Sequence, residues 1–219
     1  MKHLITLVGI LLTTHTHLGA LTCTWMGTTN NDWHLATNWD TGTVPTSADD
    51  VIIDSGAPVV STGNVGVCRD LDMGGFFSGL YISVGASFKI FGNLNYNGGS
   101  IVTSSSSYFI FAGSTLQTTG GYTPLTVHNI VIANNNGLLM GSNITAYLTL
   151  DLQSGPVYTN NYFFKTASIS GYNSTRYVIN GDNLGNPAID GGLSLTVPAG
   201  GNTIFPIGPI PGSYNPVTL

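Results

Sequence analysis

The sequence predicts an all-β fold, a right-handed parallel β-helix (β-solenoid) that begins with an N-terminal cap, with a β-sandwich as the alternative. Of the 219 residues only 7% are charged, and the chain contains 27 Thr, 20 Asn, 19 Ser and 29 Gly but no Glu. This composition favours strands and turns over long helices. From position 51 onward, short apolar runs alternate with Gly and Asn turns, and none shows a capped pattern at helical period.

Residues 1–20 have the pattern of an export signal. A basic start that includes Lys2 precedes an apolar stretch at positions 4–12, and Leu18-Gly19-Ala20 offers small residues at a cleavage point. The apolar stretch is shorter than the roughly 20 residues that cross a bilayer. We therefore expect residues 1–20 to be a removed signal peptide, no transmembrane segment, and a secreted or cell-surface location.

Residues 21–50 are rich in Trp and are predicted to form the cap. The first coil of a solenoid has unpaired strand edges and an open apolar end, which recruit other chains unless they are covered. Large indole rings are suited to cover that end. The predicted cap residues are Trp25, Trp33, Asn38 and Trp39. The competing interpretation makes Trp33 and Trp39 a platform on which a sugar stacks.

Residues 51–204 are predicted to form the solenoid coils. Short strands are expected where apolar residues cluster, and Gly-rich or Asn-rich turns separate them. The strand segments are 51–53, 80–84, 87–91, 108–111, 130–132, 147–152 and 176–179. Uneven intervals, typical of partial coils, result when six positions are taken as equivalent: Leu80, Leu94, Phe109, Val131, Leu148 and Ala167.

Two cysteines remain after the export signal, Cys23 and Cys68. An oxidising compartment permits them to pair, so a disulfide between them is expected, with two separate buried thiols as the alternative. The net charge of −5 argues against a surface that binds phosphate groups. Nucleic acid is therefore not expected as a partner.

The acidic residues around the first strand are candidates for a calcium site. Asp49, Asp50 and Asp54 supply oxygen ligands, which Ca²⁺ prefers. The calcium-loop pattern that closes with Glu is absent, and Asp side chains more commonly cap turns. We therefore expect no cofactor, with calcium at these three residues as the alternative.

No catalytic signature emerges from the sequence. No Ser has Gly at both second neighbours, and neither His34 nor His128 has the spacing of a metalloprotease motif. A polysaccharide lyase would need a basic residue such as Lys89, Lys165 or Arg176 beside an Asp cluster, but these three are scattered. An ice-binding face would need Thr side chains at one coil interval, and the Thr cluster at 115–126 does not recur. We expect the protein not to be an enzyme.

Several segments resemble known proteins. At the start of the predicted mature chain these are Thr24-Trp25-Met26-Gly27, Asp32-Trp33, Ala36-Thr37-Asn38-Trp39 and Gly42-Thr43-Val44-Pro45-Thr46-Ser47-Ala48-Asp49-Asp50-Val51-Ile52-Ile53. Together they are similar to the opening of large secreted adhesin-like proteins of the Bacteroidota. Later segments extend the resemblance: Val67-Cys68-Arg69-Asp70-Leu71, His128-Asn129-Ile130-Val131-Ile132, Phe205-Pro206-Ile207-Gly208 and Tyr214-Asn215-Pro216-Val217.

This resemblance implies a non-enzymatic structural or adhesive module, with a glycan or a surface protein as its partner. A polysaccharide-binding or polysaccharide-degrading β-helix protein is the alternative. Residues 205–219 are similar to the junction that follows the solenoid in such proteins, which end in a sorting domain for type IX secretion. The sequence stops at Leu219 without that domain, so the resemblance implies that the chain is a fragment.

Overall fold

The structure, a computed structural model, describes residues 19–199 and 201–219. Most of the predicted signal peptide, residues 1–18, lies outside the described residues. The one helical element that the structure describes is a single 3₁₀ turn, Ala36–Asn38. The strands are β1 (Thr22–Thr24), β2 (Asp50–Ile52), β3 (Val59–Val60), β4 (Val65–Cys68), β5 (Leu71–Met73), β6 (Gly79–Ile82), β7 (Ser87–Ile90), β8 (Leu94–Tyr96), β9 (Ser100–Thr103), β10 (Tyr108–Phe111), β11 (Gln117–Gly120), β12 (Leu125–Ala133), β13 (Leu138–Leu139), β14 (Ile144–Ser154), β15 (Val157–Tyr158), β16 (Phe163–Ser170), β17 (Val178–Ile179), β18 (Gly192–Leu195), β19 (Ile204–Phe205), β20 (Ile207–Gly208) and β21 (Val217–Thr218).

All strands except β19 and β21, which pair antiparallel with each other, stack into three parallel sheets that form the faces of the molecule. Face 1 has the order β1-β2-β5-β8-β11-β13-β15-β17-β20, face 2 has β3-β6-β9, and face 3 has β4-β7-β10-β12-β14-β16-β18. From β2 to β18 successive strands belong to different faces, so the chain winds through about 6 turns. The predicted β-solenoid is therefore confirmed. Parallel stacking also excludes the β-sandwich, which packs antiparallel sheets face to face.

The path of a coil follows from the register along face 1. Val51 pairs with Leu71, and Leu71 pairs with Leu94, so each of these pairs marks one full turn of the chain. The next turn is longer and brings Leu94 to Thr119. The positions predicted to be equivalent do not all lie on one face: Leu80 lies on face 2, Leu94 on face 1 and Phe109 on face 3. The first two predicted intervals are shorter than a full turn because they join different faces.

The coils change their cross-section at β12. In the first three coils, separate strands on faces 2 and 3 are joined by a turn. From β12 onward a single long strand covers both positions and bends at register shifts, which lie between Val127 and Asn129 in β12 and between Ala146 and Thr149 in β14. A bulge of this kind bends a strand without ending it.

The interior is a continuous apolar core with an aromatic column in its N-terminal half. The rings of Trp33 and Phe88 lie 4.9 Å apart edge to face, and Phe88 stacks on Phe109 at 5.9 Å. Phe109 in turn contacts Phe111 at 5.5 Å. All four side chains are fully buried. Stacking of coils therefore gives each ring an aromatic neighbour, an arrangement that favours edge-on or offset contacts.

Polar side chains link one coil to the next at the corner before face 1. Asp50 Oδ1 accepts the backbone N–H of Asp70 at 3.3 Å, and Asp70 Oδ1 accepts that of Asn93 at 2.5 Å. Asn93 Oδ1 then accepts the N–H of Thr118 at 2.8 Å. This corner ladder satisfies turn N–H groups that face 1 leaves unpaired, which is the turn-capping role expected for Asp.

The C-terminal segment folds back on the last coil. In β20, Ile207 pairs with Val178, so the stack continues beyond position 204. Asn215 N–H donates to Ile207 O at 2.9 Å, and Tyr177 Oη donates to Ile210 O at 3.1 Å. The ring of Tyr214 lies 5.2 Å from that of Tyr177. Residues 205–219 thus cover the end of the core.

Candidate functional site

The three tryptophans of the N-terminal segment are packed together inside the molecule. Trp25 and Trp39 meet edge to face at 5.0 Å, and Trp33 and Trp39 do so at 4.7 Å. Trp39 Nε1 donates to Trp33 O at 2.9 Å. All three are at most 4% exposed. Neither Trp33 nor Trp39 presents a face to solvent on which a sugar could stack, as the competing interpretation would require.

The same segment covers the first strand of every face. Strand β1 pairs with β2 on face 1. On face 2, Val59 N–H donates to Asn31 O at 2.6 Å and Trp33 N–H donates to Val59 O at 3.0 Å. On face 3, His34 Nε2 lies 3.1 Å from Val65 O. This coverage is the geometry that the cap prediction requires.

Asn38 holds the loop of this cap in place. Its Oδ1 accepts the N–H groups of Thr29 at 3.0 Å and Asn30 at 3.3 Å. Its Nδ2 donates to Asn30 Oδ1 at 2.9 Å and to Asp32 O at 3.0 Å. Asn38 is fully buried, and these bonds satisfy the polar atoms of its side chain.

Asp49 is used as a structural acceptor. Its Oδ1 accepts Leu21 N–H at 2.9 Å, and its Oδ2 accepts the N–H of Thr46 at 2.9 Å and the hydroxyl of Thr46 at 2.7 Å. Burial on its own raises the pKa of Asp49, but these hydrogen bonds outweigh it and hold the pKa below its usual value. The carboxylate has little capacity left for a metal ion.

Asp50 forms an ion pair with Arg69. Arg69 Nε donates to Asp50 Oδ1 at 2.7 Å and Nη2 to Oδ2 at 2.5 Å. This bidentate pair lowers the pKa of Asp50 against the opposing effect of partial burial. Asp54 is exposed. Within residues 19–199 and 201–219 no three His, Cys or Asp side chains are placed to hold a metal ion.

The two cysteines are not bonded to each other. Cys23 pairs with Val51 on face 1, whereas Cys68 pairs with Ile90 on face 3. Both thiols are buried, and burial raises the pKa of each. The structure therefore contains two separate buried thiols rather than the predicted disulfide.

The basic residues considered for a lyase lie apart from the acidic ones. Lys89 lies in β7, Lys165 lies in β16, and Arg176 precedes β17, where its Nη1 donates to Gln153 O at 2.8 Å. Among the described residues, none of the three forms an ion pair. The structure does not bring them together with an Asp cluster.

A concave site lies where the cross-section changes. Among the described strands, β9 pairs only with β6, and no ladder joins it to β12. Direct hydrogen bonds close both ends of this opening: Thr123 N–H to Tyr96 O at 3.1 Å, and His128 N–H to Thr103 Oγ1 at 2.8 Å. We call this opening, with the adjoining surface of β6 and β14, the face-2 groove.

Backbone groups point into the face-2 groove from both walls. In parallel strands the N–H and C=O groups of alternate residues point to opposite neighbours. Ser100 N–H donates back to Ser78 O at 3.0 Å, so the groups of Ile101 point toward β12. Leu125 N–H donates forward to Asn143 O at 3.1 Å, so the groups of Thr126 point toward β9. Neither set has a ladder partner across the opening.

Two adjoining cavities form the groove, one of about 370 Å³ and one of about 310 Å³. They share Val102 and Thr103. Tyr147 lines the first cavity, where its ring lies 5.8 Å from that of His128, and Tyr81 lines the second. Ser and Thr hydroxyls supply most of the remaining polar atoms. Of the described residues that line the two cavities, none is an Asp, Lys or Arg.

Comparison with family models, with curated proteins and with solved structures finds no significant match. In the part of the chain that the structure describes, no helix has the length and apolar character to cross a membrane. The sequence analysis did not identify the groove. The number of residues in each coil could have indicated the groove, because the turn from Leu94 to Thr119 is the longest of the first three turns.

Proposed function

We propose that the chain is a non-enzymatic structural and adhesive module that acts in the secreted state or at the cell surface. One observation carries this proposal. The charged side chains of the described residues form turn caps, hydrogen bonds between coils or ion pairs, or lie apart from one another, and no Asp, Lys or Arg lines the groove. Acid and base catalysis needs convergent groups with shifted pKa values in a cleft.

The fold supports this role. A solenoid is quasi-one-dimensional, and its coils present long exposed faces suited to contact extended partners. The resemblance to secreted adhesin-like proteins of the Bacteroidota agrees with this architecture. The export pattern of residues 1–20 supports the location.

The experiment that tests the proposal is a turnover assay on a polysaccharide panel. Neutral and acidic polymers are incubated with the purified chain, and both reducing ends and unsaturated sugar products are followed. We expect no product from any polymer. The variants Lys89→Ala, Lys165→Ala and Arg176→Ala identify the source of any activity, because product that disappears in one of them would establish a degrading enzyme instead.

A further inference from the structure

We propose that the face-2 groove binds an uncharged polysaccharide chain that lies along the solenoid axis between Tyr81 and Tyr147. This inference rests on the adhesive function proposed above and names its ligand class. The groove crosses four neighbouring strands, β6, β9, β12 and β14. At about 4.8 Å for each step between strands, it extends for about 15 Å, enough for a few linked sugar rings.

Two exposed tyrosines mark the ends of the groove. Tyr81 is 41% exposed and Tyr147 is 59% exposed, although both lie on strands. A tyrosine ring presents a flat apolar face together with a polar hydroxyl, which suits partners that have both apolar and polar surface. A sugar ring has such surfaces, with C–H groups on its face and hydroxyls at its edge.

The floor of the groove offers donors and acceptors to hydroxyl groups. The backbone groups of Thr126 and the C=O of Ile101 point into the opening and have no ladder partner there, whereas the Ile101 N–H is hydrogen-bonded to the Tyr96 hydroxyl. The Oγ of Ser104, in the adjoining cavity, is buried without a hydrogen-bond partner. A buried polar atom without a partner is costly, so a ligand hydroxyl that pairs with Ser104 Oγ gains binding energy.

The geometry of the opening excludes an extended peptide as an added strand. Such a strand would need about 4.8 Å on each side. The bonds from Thr123 to Tyr96 and from His128 to Thr103 hold the two walls within direct hydrogen-bond distance at both ends. Sugar hydroxyls can reach into a slit of this width from above, whereas a peptide backbone cannot enter it.

Charge favours a neutral polymer over an acidic one. The described lining contains no Asp, Lys or Arg, so the groove has no cation with which to bind a carboxylate or a sulfate. The net charge of −5 also repels polyanions.

The test is affinity electrophoresis through gels that contain dextran, laminarin, galactomannan or xylan as neutral polymers, and alginate as an acidic one. We expect at least one neutral polymer to retard the chain, and alginate not to. Tyr81→Ala and Tyr147→Ala should each weaken binding about tenfold, as expected when an aromatic anchor is truncated. Tyr108→Ala is the matched control, since Tyr108 is 44% exposed on face 3, and it should bind within about twofold of the wild type.

Thermal unfolding of the three variants should match that of the wild type, because each removes an exposed side chain. The inference is overturned if no neutral polymer binds, if alginate binds best, or if the double variant Tyr81→Ala/Tyr147→Ala binds as the wild type does. Groove-dependent binding to an immobilised peptide array, without binding to any polymer, also overturns it. These results leave the proposed function standing, which only product release would contradict.

Discussion

The first three coils and the coils that follow turn the corner between faces 2 and 3 in different ways. In the first two coils a short turn makes it, and each turn contains a glycine at positive φ, Gly63 at 75° and Gly85 at 68°. The third coil uses serines, with Ser107 Oγ bonded to Ser104 O at 2.9 Å. In the fourth coil a bulge at Asn129 replaces the turn, and the Asn129 amide donates to the carbonyls of the serine turn below it.

This difference explains where the groove lies. Strand β9 is the last strand of face 2, and the long strand β12 continues face 3 without a separate face-2 strand to pair with β9. The change of cross-section therefore leaves two strand edges facing each other. In a regular stack of coils every inner edge is paired, so an irregular step is what exposes backbone groups to a ligand.

The largest loss of stability is expected from Trp33→Ala, whose side chain packs against the first three coils. Trp33 is fully buried between Trp39 and Phe88, and removing a large core side chain costs about 3–5 kcal/mol. Because each coil contacts only its neighbours, the loss of hydrogen-exchange protection should be concentrated between positions 51 and 111. Tyr122→Ala, at a 94% exposed side chain, serves as the control. An equal loss of protection in all coils would show that the first three coils and the coils that follow unfold as one cooperative unit.

The next largest loss of stability is expected at the boundary between the first three coils and the coils that follow. Gln117 is buried, and its Nε2 donates to Ile90 O at 3.0 Å and also to Gly92 O, while its Oε1 accepts Gly113 N–H at 2.8 Å. Ile90 O keeps its bond from Ala112 N–H. Gln117→Ala nevertheless leaves Gly92 O and Gly113 N–H without their partner and should lower the free energy of unfolding by about 2–3 kcal/mol in urea denaturation. The exposed Gln153→Ala should change it by less than about 0.5 kcal/mol. Equal effects of the two variants would contradict this role.

Acid should weaken the first half through Asp49 and Asp50. Their pKa values are lower in the folded state than in the unfolded state, so the unfolded chain binds more protons. The stabilisation is present above the unfolded pKa of about 3.9 and is lost as the pH falls through the lower folded values. Asp49→Asn should cost on the order of 1 kcal/mol at neutral pH and flatten this acid dependence in urea titrations. A steeper dependence in the variant would exclude Asp49 as the source.

The smallest effect is expected from reducing agents. Cys23 and Cys68 are separate buried thiols, so dithiothreitol should leave the urea midpoint unchanged. Maleimide labelling should be slow in the folded chain and should modify two thiols after denaturation, because burial raises both pKa values. A disulfide would instead show itself as a loss of about 2–4 kcal/mol on reduction.

The sequence predicts several strands from their apolar runs but misses others, including β9 and β16, which also contain apolar residues. The segments at 87–91, 108–111 and 147–152 all fall on observed strands. Strand β11, Gln117–Gly120, has no aliphatic or aromatic residue and was not predicted. It is a strand because it pairs with β8 and β13, and such ladder bonds between distant residues leave no local pattern.

The face-2 groove could not be predicted from local sequence patterns, because it too depends on pairing between distant residues. The tryptophans were recognised as large covers, and their burial agrees with that interpretation. The groove depends instead on a ladder that is missing between the segments 100–103 and 124–127. Tyr81 and Tyr147 have ordinary strand contexts in the sequence, and only the stacking of coils places them in the two adjoining cavities of the groove.

The short spacing between coil partners sets the order in which the chain can fold. From Val51 to Thr119, every paired residue on face 1 has its partner in the adjacent coil, so each new strand docks on one that the chain completed a single turn earlier. Contacts of this range cost less loop-closure entropy than pairing between coils far apart in the chain would. The tryptophan segment comes before all of these strands. In a chain that appears N-terminus first, the tryptophan segment and the first coil can therefore complete each other, and assembly can advance from there in one direction, one coil at a time.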